Sequence, residues 1–294
     1  MAFVVNIASV AAPILFCVLA GFALAKLDLP FDRLVVTSLV SNIGVPGLVI
    51  SHLAAQHVAF GAFLDVMLGA LTLLVCFALI ASVFLHLNRL SLRTFLSPMM
   101  LGNAGNIGLP VTFLAFGNEG LAYAMAFWVV VVIAVFTIGM WIPQGKITMK
   151  ALLRSPAIYS VAVGMILLGT NTQLPKPIHQ TLDLLGGLTI PLMLLTLGYT
   201  LAELKPAHLV RGIYLATFHL LMAIAVAFSL VEVFQFQGTA RGVFILQCLM
   251  PISVFSYLWA EKYDSEHAPQ VASVVLCSTL MSIVALPLAL SYWM

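Results

Sequence analysis

The stretch LGNAGNIGLP, residues 101–110, decides how this chain folds, because it interrupts a long apolar segment with three glycines, two asparagines and a proline. Proline lacks a backbone donor and clashes with the carbonyl four residues earlier, so we expect the helix to kink or unwind just before Pro110. Unpaired backbone groups are costly in lipid, and an unwound segment survives only where protein or water satisfies them. We therefore expect this break in the protein interior, where Asn103 and Asn106 can bind backbone groups or a solute.

The composition around this break is that of an integral membrane protein. Of the 294 residues, 63% are hydrophobic and 7% are charged, and the mean hydropathy is +1.15, whereas globular domains carry about 25% charged residues. A spanning helix needs about 20 mostly apolar residues, and ten segments qualify. The predicted spans lie near residues 5–25, 33–53, 63–85, 94–116, 120–142, 155–170, 178–201, 208–232, 240–261 and 270–292. We expect an all-α, polytopic membrane protein with ten transmembrane helices.

The prolines of the two halves correspond to each other. Four prolines of the first half match four of the second half in the same order, with offsets of 141 to 145 residues. They are Pro13, Pro30, Pro46 and Pro110, which correspond to Pro156, Pro175, Pro191 and Pro251. Internal repeats of this kind are typical of secondary transporters. The pattern predicts a first five-helix repeat at 1–143, a cytoplasmic linker at 144–154 and a second five-helix repeat at 155–294. Because five is odd, the second repeat enters the membrane from the opposite side, and the two repeats are inverted.

The positions of the basic residues predict the orientation in the membrane. Ten of the 12 Lys and Arg lie at odd-numbered loops, and only Lys176 and Arg241 lie on the other side. Loops rich in Lys and Arg face the cytoplasm, so we expect both termini outside and the odd-numbered loops inside. The ten are Lys26, Arg33, Arg89, Arg93, Lys146, Lys150, Arg154, Lys205, Arg211 and Lys262.

The break in the ninth span, LQCLMPISVF at 246–255, is the counterpart of the break in the fourth. In transporters with inverted repeats, the binding site lies near the midplane where such breaks meet. We expect the prolines to begin half-helices whose positive ends converge, an arrangement that suits a carboxylate without any lysine or arginine. The candidate substrate-binding residues in the breaks are Asn103, Asn106, Ile107, Pro110, Gln247, Pro251 and Ser253. Close helix packing is the alternative explanation for the glycines of the first break.

Two titratable residues are candidates for ion or proton coupling. Asp183 is the deepest of the acids near span ends, although an interfacial position is the more common explanation for such an acid. His219 is the most buried histidine, although a lone buried histidine is more often a hydrogen-bonded structural residue. The four cysteines form no C-x-x-C pair, so we expect no disulfide framework. We predict no metal site, no cofactor and no nucleic-acid partner.

With these residues assembled, the chain resembles a bacterial member of the auxin efflux carrier family, which includes the plant PIN-FORMED auxin exporters. The resemblance rests on GNAGNIGLP at 102–110, PLMLLTLG at 191–198 and MPISVFSYLWAEKY at 250–263. It implies a ten-helix fold related to bile-acid sodium symporters and sodium/proton antiporters, with helices 4 and 9 crossing at their breaks. It also implies a scaffold of helices 1, 2, 6 and 7, which carries a homodimer contact, and an elevator-like transport domain of helices 3–5 and 8–10.

The resemblance also implies site residues and a substrate class. Asn103, Asn106, Pro110 and Pro251 would line the site, and helix 2 near Asn42 and Pro46 would face it from the scaffold. Bacterial relatives are assigned small organic acids such as malonate or malate, and the location implied is the bacterial inner membrane. The chain departs from the family pattern at Ser253–Val254–Phe255, where many relatives have an asparagine, and at Gly47–Leu48–Val49, where the plant exporters have a serine.

The main hypothesis is therefore a secondary carrier for a small organic anion, with membrane lipid as its surroundings. A sodium-coupled symporter of the bile-acid type shares the implied fold, but few acids lie near the breaks. A membrane sensor that keeps the fold without transport is a further alternative. An intramembrane enzyme fails on residues, because the chain has no H-E-x-x-H, no G-x-S-x-G and no pair of aspartates at span centres.

Overall fold

The computed structural model describes residues 2–55, 58–146 and 156–291. Within these ranges every regular element is a helix, and the only strand-like pairing is an isolated antiparallel bridge between Gly102 and Ile252. The prediction of an all-α protein is confirmed for this part of the chain. The basic residues Lys150 and Arg154, and most of the linker predicted at 144–154, lie outside the described residues.

The first half of the chain contains seven α-helices and three π turns. The α-helices are α1 (Ala2–Lys26), α2 (Arg33–Leu39), α3 (Val45–Ala55), α4 (Phe60–Leu87), α5 (Leu92–Met100), α6 (Leu109–Ala134) and α7 (Met140–Gln144). The π turns are Val40–Gly44, Ala104–Gly108 and Val135–Gly139. A fully non-helical Gly117, with φ 63° and ψ −153°, divides α6 into two helical parts. This backbone conformation is accessible essentially to glycine alone.

The second half contains seven further helices. They are α8 (Pro156–Gly169), α9 (Lys176–Gly187), α10 (Thr189–Glu203), α11 (Leu209–Val233), α12 (Gly238–Cys248), α13 (Val254–Tyr263) and α14 (Ala268–Ser291). Six stretches of the described chain are long and apolar enough to cross a membrane: Arg33–Ala55, Phe60–Leu87, Ala104–Gln144, Lys176–Glu203, Leu209–Val233 and Ala268–Leu290. A multi-pass membrane protein is therefore confirmed, while the count of ten spans and the inverted repeat stay predictions.

A proline follows each of the three π turns. Val40–Gly44 is followed by Pro46, Ala104–Gly108 by Pro110 and Val135–Gly139 by Pro143. A π turn is wider than an α turn, so it accommodates the proline ring and the missing backbone donor without ending the helix. At Pro110 the π turn carries the helix through the proline, and the predicted unwinding lies earlier, at residues 101–103.

The helices pack in two groups. In the first group α1 packs along α10, α2 also packs on α10, and α3 packs on both α8 and α9. In the second group α4 packs on α5 and α6, α12 packs on α6, and α11 packs along α14. In the first group, the approach of α1 to α10 is close at Gly198, where an added Cβ would overlap the backbone carbonyl of Val18.

Candidate functional site

The two breaks predicted in the fourth and ninth spans cross each other in the protein interior. The backbone N–H of Asn103 donates to the carbonyl of Pro251 at 2.7 Å, and the N–H of Ser253 donates to the carbonyl of Leu101 at 2.8 Å. These two bonds form the antiparallel bridge between Gly102 and Ile252. Each break thus satisfies backbone groups of the other, which is how unwound chain is tolerated at membrane depth.

A cavity of about 270 Å³ opens beside this crossing, between the two groups of helices. Its first-group wall includes Arg33, Thr37, Ser41, Thr196 and Thr200, and its second-group wall includes the crossing itself. The remaining lining is mainly apolar and aromatic: Trp128, Val131, Val132, Val135, Phe136, Met193, Val254, Phe255 and Leu258. The cavity therefore has polar groups on both walls, and apolar side chains make up most of the rest of its lining.

Two helix starts line this cavity. One is the start of the π turn at Ala104, after the helix-capping position Asn103, and the other is the start of α13, after Ser253. Within the described chain, the backbone N–H groups of Ala104, Gly105 and Asn106 have no acceptor. Unpaired amides at a helix start carry the positive end of the helix dipole and bind anions.

Asn103 adds a side-chain donor to these amides. Its side chain is only 4% exposed, it lines the cavity, and its Nδ2 has no hydrogen-bond partner among the residues described. Its side chain does not cap the helix that follows. An unpaired buried amide costs free energy, so a ligand group that accepted a hydrogen bond from Asn103 would be stabilised. Asn106 also lines the cavity and is half-buried.

Comparison with known proteins gives the chain a family. A model of the family described as membrane transport protein matches residues 144–290, which is half of the chain. The chain belongs to this membrane transport protein family. The match includes the break in the ninth span and supports the resemblance to auxin efflux carriers, whereas the relation to the plant exporters and the bacterial source stay predictions.

Two relatives of this membrane transport protein are archaeal. An uncharacterized transporter of Methanocaldococcus jannaschii is 26% identical over 199 residues, which cover 64% of this chain and 64% of the relative. An uncharacterized transporter of Methanothermobacter thermautotrophicus is 29% identical over 193 residues, covering 63% of each chain. The chain thus spans slightly less than two thirds of the length of the relatives it matches.

Several predicted site residues of the membrane transport protein lie behind the crossing rather than in the cavity. Gln247 is buried and donates from Nε2 to Thr112 Oγ1 at 3.2 Å, against the backbone of Gly108. Ile107 lines a separate, apolar crevice of about 280 Å³ between α1, α10 and α14. Pro110 is buried in the helix after the π turn. Of the predicted residues in the breaks, those that line the cavity are Asn103, Asn106 and Ser253.

The helix-two residues predicted to face the site do not line this cavity. Asn42 is exposed, and its Nδ2 donates to the carbonyl and the hydroxyl of Ser38 at 2.8 and 3.0 Å. Asn42 and Pro46 are absent from the cavity lining, which takes Ser41 and Val45 from this helix instead. The π turn at Val40–Gly44 contains Asn42 and shifts the helical register at this level.

The two candidates for ion coupling lie apart from the cavity. Asp183 is exposed on α9. His219 is 3% exposed on α11, packs edge-to-face on Phe77 with ring centroids 5.7 Å apart, and has no partner for Nε2 in the described chain. It borders a void of about 10 Å³ that Pro251 and Ser278 also line. His219 therefore lies near the ninth-span break, at a void that is separate from the cavity.

Sequence reasoning missed the polar residues of the first-group wall. Arg33, Thr37 and Ser41 recur every four residues, and Thr196 and Thr200 do the same on α10. Residues four apart lie on one helix face, so this spacing was the available signal. These residues lie outside the two breaks, which were the segments predicted to supply most of the polar groups of the site.

Proposed function

We propose that this chain is a secondary carrier for small organic anions, with carboxylates such as malonate or malate as the substrate class. The observation that carries the proposal is the convergence of two helix starts and the buried, unpaired Asn103 amide on one cavity. Donors of this kind favour negative charge. The family described as membrane transport protein and the archaeal relatives named as transporters agree with a transport role.

We propose an elevator-type mechanism of alternating access, in which the second group of helices slides against the first. The first group corresponds to the scaffold of helices 1, 2, 6 and 7, and the second to helices 3–5 and 8–10. The packing of the helices supports this division, because each group is held together by its own contacts. The cavity takes its lining from both groups, so a sliding movement would open and close it.

The ten-span, inverted-repeat arrangement is part of the same proposal. The helical stretch Ala104–Gln144 has 41 residues, and a straight helix of that length would measure about 60 Å. That is roughly twice the hydrocarbon thickness of a bilayer. The interruption at Gly117 supports two passes there, one on each side of it. Both termini then face outward, the odd-numbered loops face the cytoplasm, and the scaffold helices carry a homodimer contact.

The experiment is uptake by the purified protein in liposomes. A panel of labelled carboxylates is offered with and without sodium or proton gradients, so that sodium coupling, proton coupling and uncoupled transport give different results. We expect uptake of carboxylates and not of organic cations of similar size. A preference for cations would contradict the role of the helix starts, and the absence of uptake for every substrate would favour the sensor.

Variants test the location of the site in the same assay. We expect Asn106→Ala to lower carboxylate uptake, because its amide lines the cavity. Asn118→Ala is the matched control, since Asn118 is exposed beside Gly117 and lies outside the cavity lining. Asn42→Ala separates the two assignments of helix 2: unchanged uptake agrees with its exposed position, and a loss of uptake would return Asn42 to the site.

A further inference from the structure

A single arginine lies at the mouth of the cavity. Arg33, the first residue of α2, lines the cavity beside the crossing and also an open cleft outside it, together with Pro30, Phe31, Tyr199 and Glu203. In the described chain no other lysine or arginine lines the cavity. A solute that enters from this cleft therefore passes the Arg33 guanidinium before it reaches the crossing.

Arg33 is paired with a carboxylate that a substrate could replace. Its Nη1 lies 2.8 Å from Glu203 Oε2, and the two side chains are 29% and 44% exposed. Ion pairs with this exposure contribute little to stability. Exchange of the Glu203 carboxylate for the carboxylate of a substrate would keep the same type of bond on Arg33.

Helix electrostatics does not explain this pair. A positive charge at a helix start and a negative charge at a helix end are both unfavourable, yet Arg33 begins α2 and Glu203 ends α10. The start of α2 already has a cap, because Asp32 accepts from the amides of Leu34 and Val35 at 2.9 and 3.1 Å. The end of α10 also has a donor, since Lys26 Nζ donates to the carbonyl of Ala202 at 3.1 Å.

A row of hydroxyl groups leads inward from Arg33. Thr37 and Ser41 follow it at four-residue spacing, and Thr196 and Thr200 line the same cavity from α10. The Thr196 hydroxyl has no hydrogen-bond partner within the residues described. These hydroxyls and Arg33 line one wall of the cavity, and Asn103 lines the opposite wall at the crossing.

We propose that Arg33 is an anion-binding station at the mouth of the cavity, where the carboxylate of an incoming substrate displaces Glu203. The inference rests on the proposed anion transport and adds a second binding position to it. Glu203 holds the guanidinium when no substrate is present and competes with the substrate for it. Removal of Arg33 and removal of Glu203 should therefore have opposite effects on substrate affinity.

The test measures the apparent KM and kcat of malonate uptake into liposomes for Arg33→Gln, Glu203→Gln and the double variant. We expect Arg33→Gln to raise the KM by about tenfold, as for the loss of one hydrogen bond to a charged group, with little change in kcat. We expect Glu203→Gln to lower the KM, because the guanidinium is then free. The double variant should behave like Arg33→Gln, since Glu203 acts only through Arg33.

A second ion pair supplies the control. Arg241 Nη2 and Glu232 Oε1 lie 3.0 Å apart and outside the cavity lining, so Glu232→Gln should leave the KM unchanged. If Arg33→Gln and Glu203→Gln shift the KM in the same direction, or lower only kcat, the pair is a structural contact between α2 and α10 and the proposal is wrong.

The outcome for this station can be separated from the outcome for anion transport. If the wild type takes up malonate while both variants keep its KM, the station alone fails. If the wild type takes up no carboxylate, the transport proposal fails, and the station is then tested by the rise in Tm that malonate causes in the purified protein. A rise that is the same in the wild type and in Arg33→Gln would overturn the station.

Discussion

Replacing Asn103 by alanine should lower the affinity for malonate without lowering the stability of the protein. The side chain contributes no helix cap, and its Nδ2 is buried without a partner in the described chain. The two bonds that hold the crossing together are backbone bonds, and one of them comes from the N–H of Asn103, at 2.7 Å from the Pro251 carbonyl. Alanine at position 103 retains both. The variant therefore removes the proposed donor for the substrate without removing a hydrogen bond from Nδ2 in the empty protein.

The two effects have opposite signs. An unsatisfied buried polar group costs about 1–3 kcal/mol, and Asn103→Ala removes this cost. The smaller side chain leaves a small void that offsets part of the gain, so the Tm should stay unchanged or rise. A hydrogen bond to a charged group contributes about 1.5–3 kcal/mol, so the variant should weaken malonate binding by roughly 10- to 100-fold. Asn103→Asp should weaken binding further, because it adds a negative charge that faces the anion.

The assay pairs a thermal unfolding curve of the purified, substrate-free protein with the malonate concentration dependence of uptake in liposomes. Gln247→Ala is a useful contrast, since Gln247 Nε2 donates to Thr112 behind the crossing and its loss should lower the Tm. A lower Tm for Asn103→Ala, with malonate affinity unchanged, would refute the reasoning and make Asn103 a structural residue of the crossing.

Three further predictions follow from other contacts. Gly198→Ala should destabilise the protein by about 1–3 kcal/mol by overpacking against the Val18 backbone, measured as a lower Tm; Gly187→Ala, with open space around it, is the control. In a cysteine-free background, cross-linking His52→Cys to Phe113→Cys, where α3 meets α6 with ring centroids 6.4 Å apart, should stop uptake, whereas linking Phe84→Cys to Phe218→Cys within the second group should not. Burial alone would raise the pKa of Asp264, but hydrogen bonds from His267 and Thr94 lower it below its usual value. The same bond to Asp264 raises the pKa of His267. The histidine then stabilises the protein fully below its unfolded pKa of 6.5 and loses this effect as the pH rises through the raised folded pKa, so His267→Gln should lower the Tm more at about pH 5 than at about pH 8; equal losses would contradict the pairing.

The positions of the helices were predictable where a long apolar stretch of sequence determines them. The span predicted at 63–85 corresponds to α4, Phe60–Leu87, and the span at 208–232 to α11, Leu209–Val233. In a bilayer the backbone must be satisfied within the helix, so local hydropathy is a strong guide. The meeting of the two breaks followed from the same requirement, because unwound chain must find partners inside the protein.

The faces of the helices were less predictable. Asn42 lies in the π turn before Pro46, and a π turn adds one residue and rotates all later side chains by about 100° relative to a regular α-helix. The predicted half-helix start at Pro110 was displaced for the same reason. The chain unwinds at residues 101–103, and the π turn at Ala104–Gly108 then carries the helix through the proline. Sequence patterns with fixed periods do not contain this widening.

That displacement matters for the chemistry of the proposed site. A helix that began at Pro110 would lack one amide in its first turn, because proline has no backbone N–H. A helix that begins at Ala104 instead offers the amides of Ala104, Gly105 and Asn106 beside Asn103. Helix-dipole contributions of this kind amount to about 0.3–1 kcal/mol each at exposed sites and up to about 2 kcal/mol when partly buried. A carrier must release its substrate on the far side of the membrane, and a fully buried lysine or arginine would carry a large desolvation cost while the site is empty. In the proposed site, donors supplied by helix starts and one neutral amide would bind an anion without that cost. The fixed charge then belongs at the half-exposed mouth, where Arg33 lies.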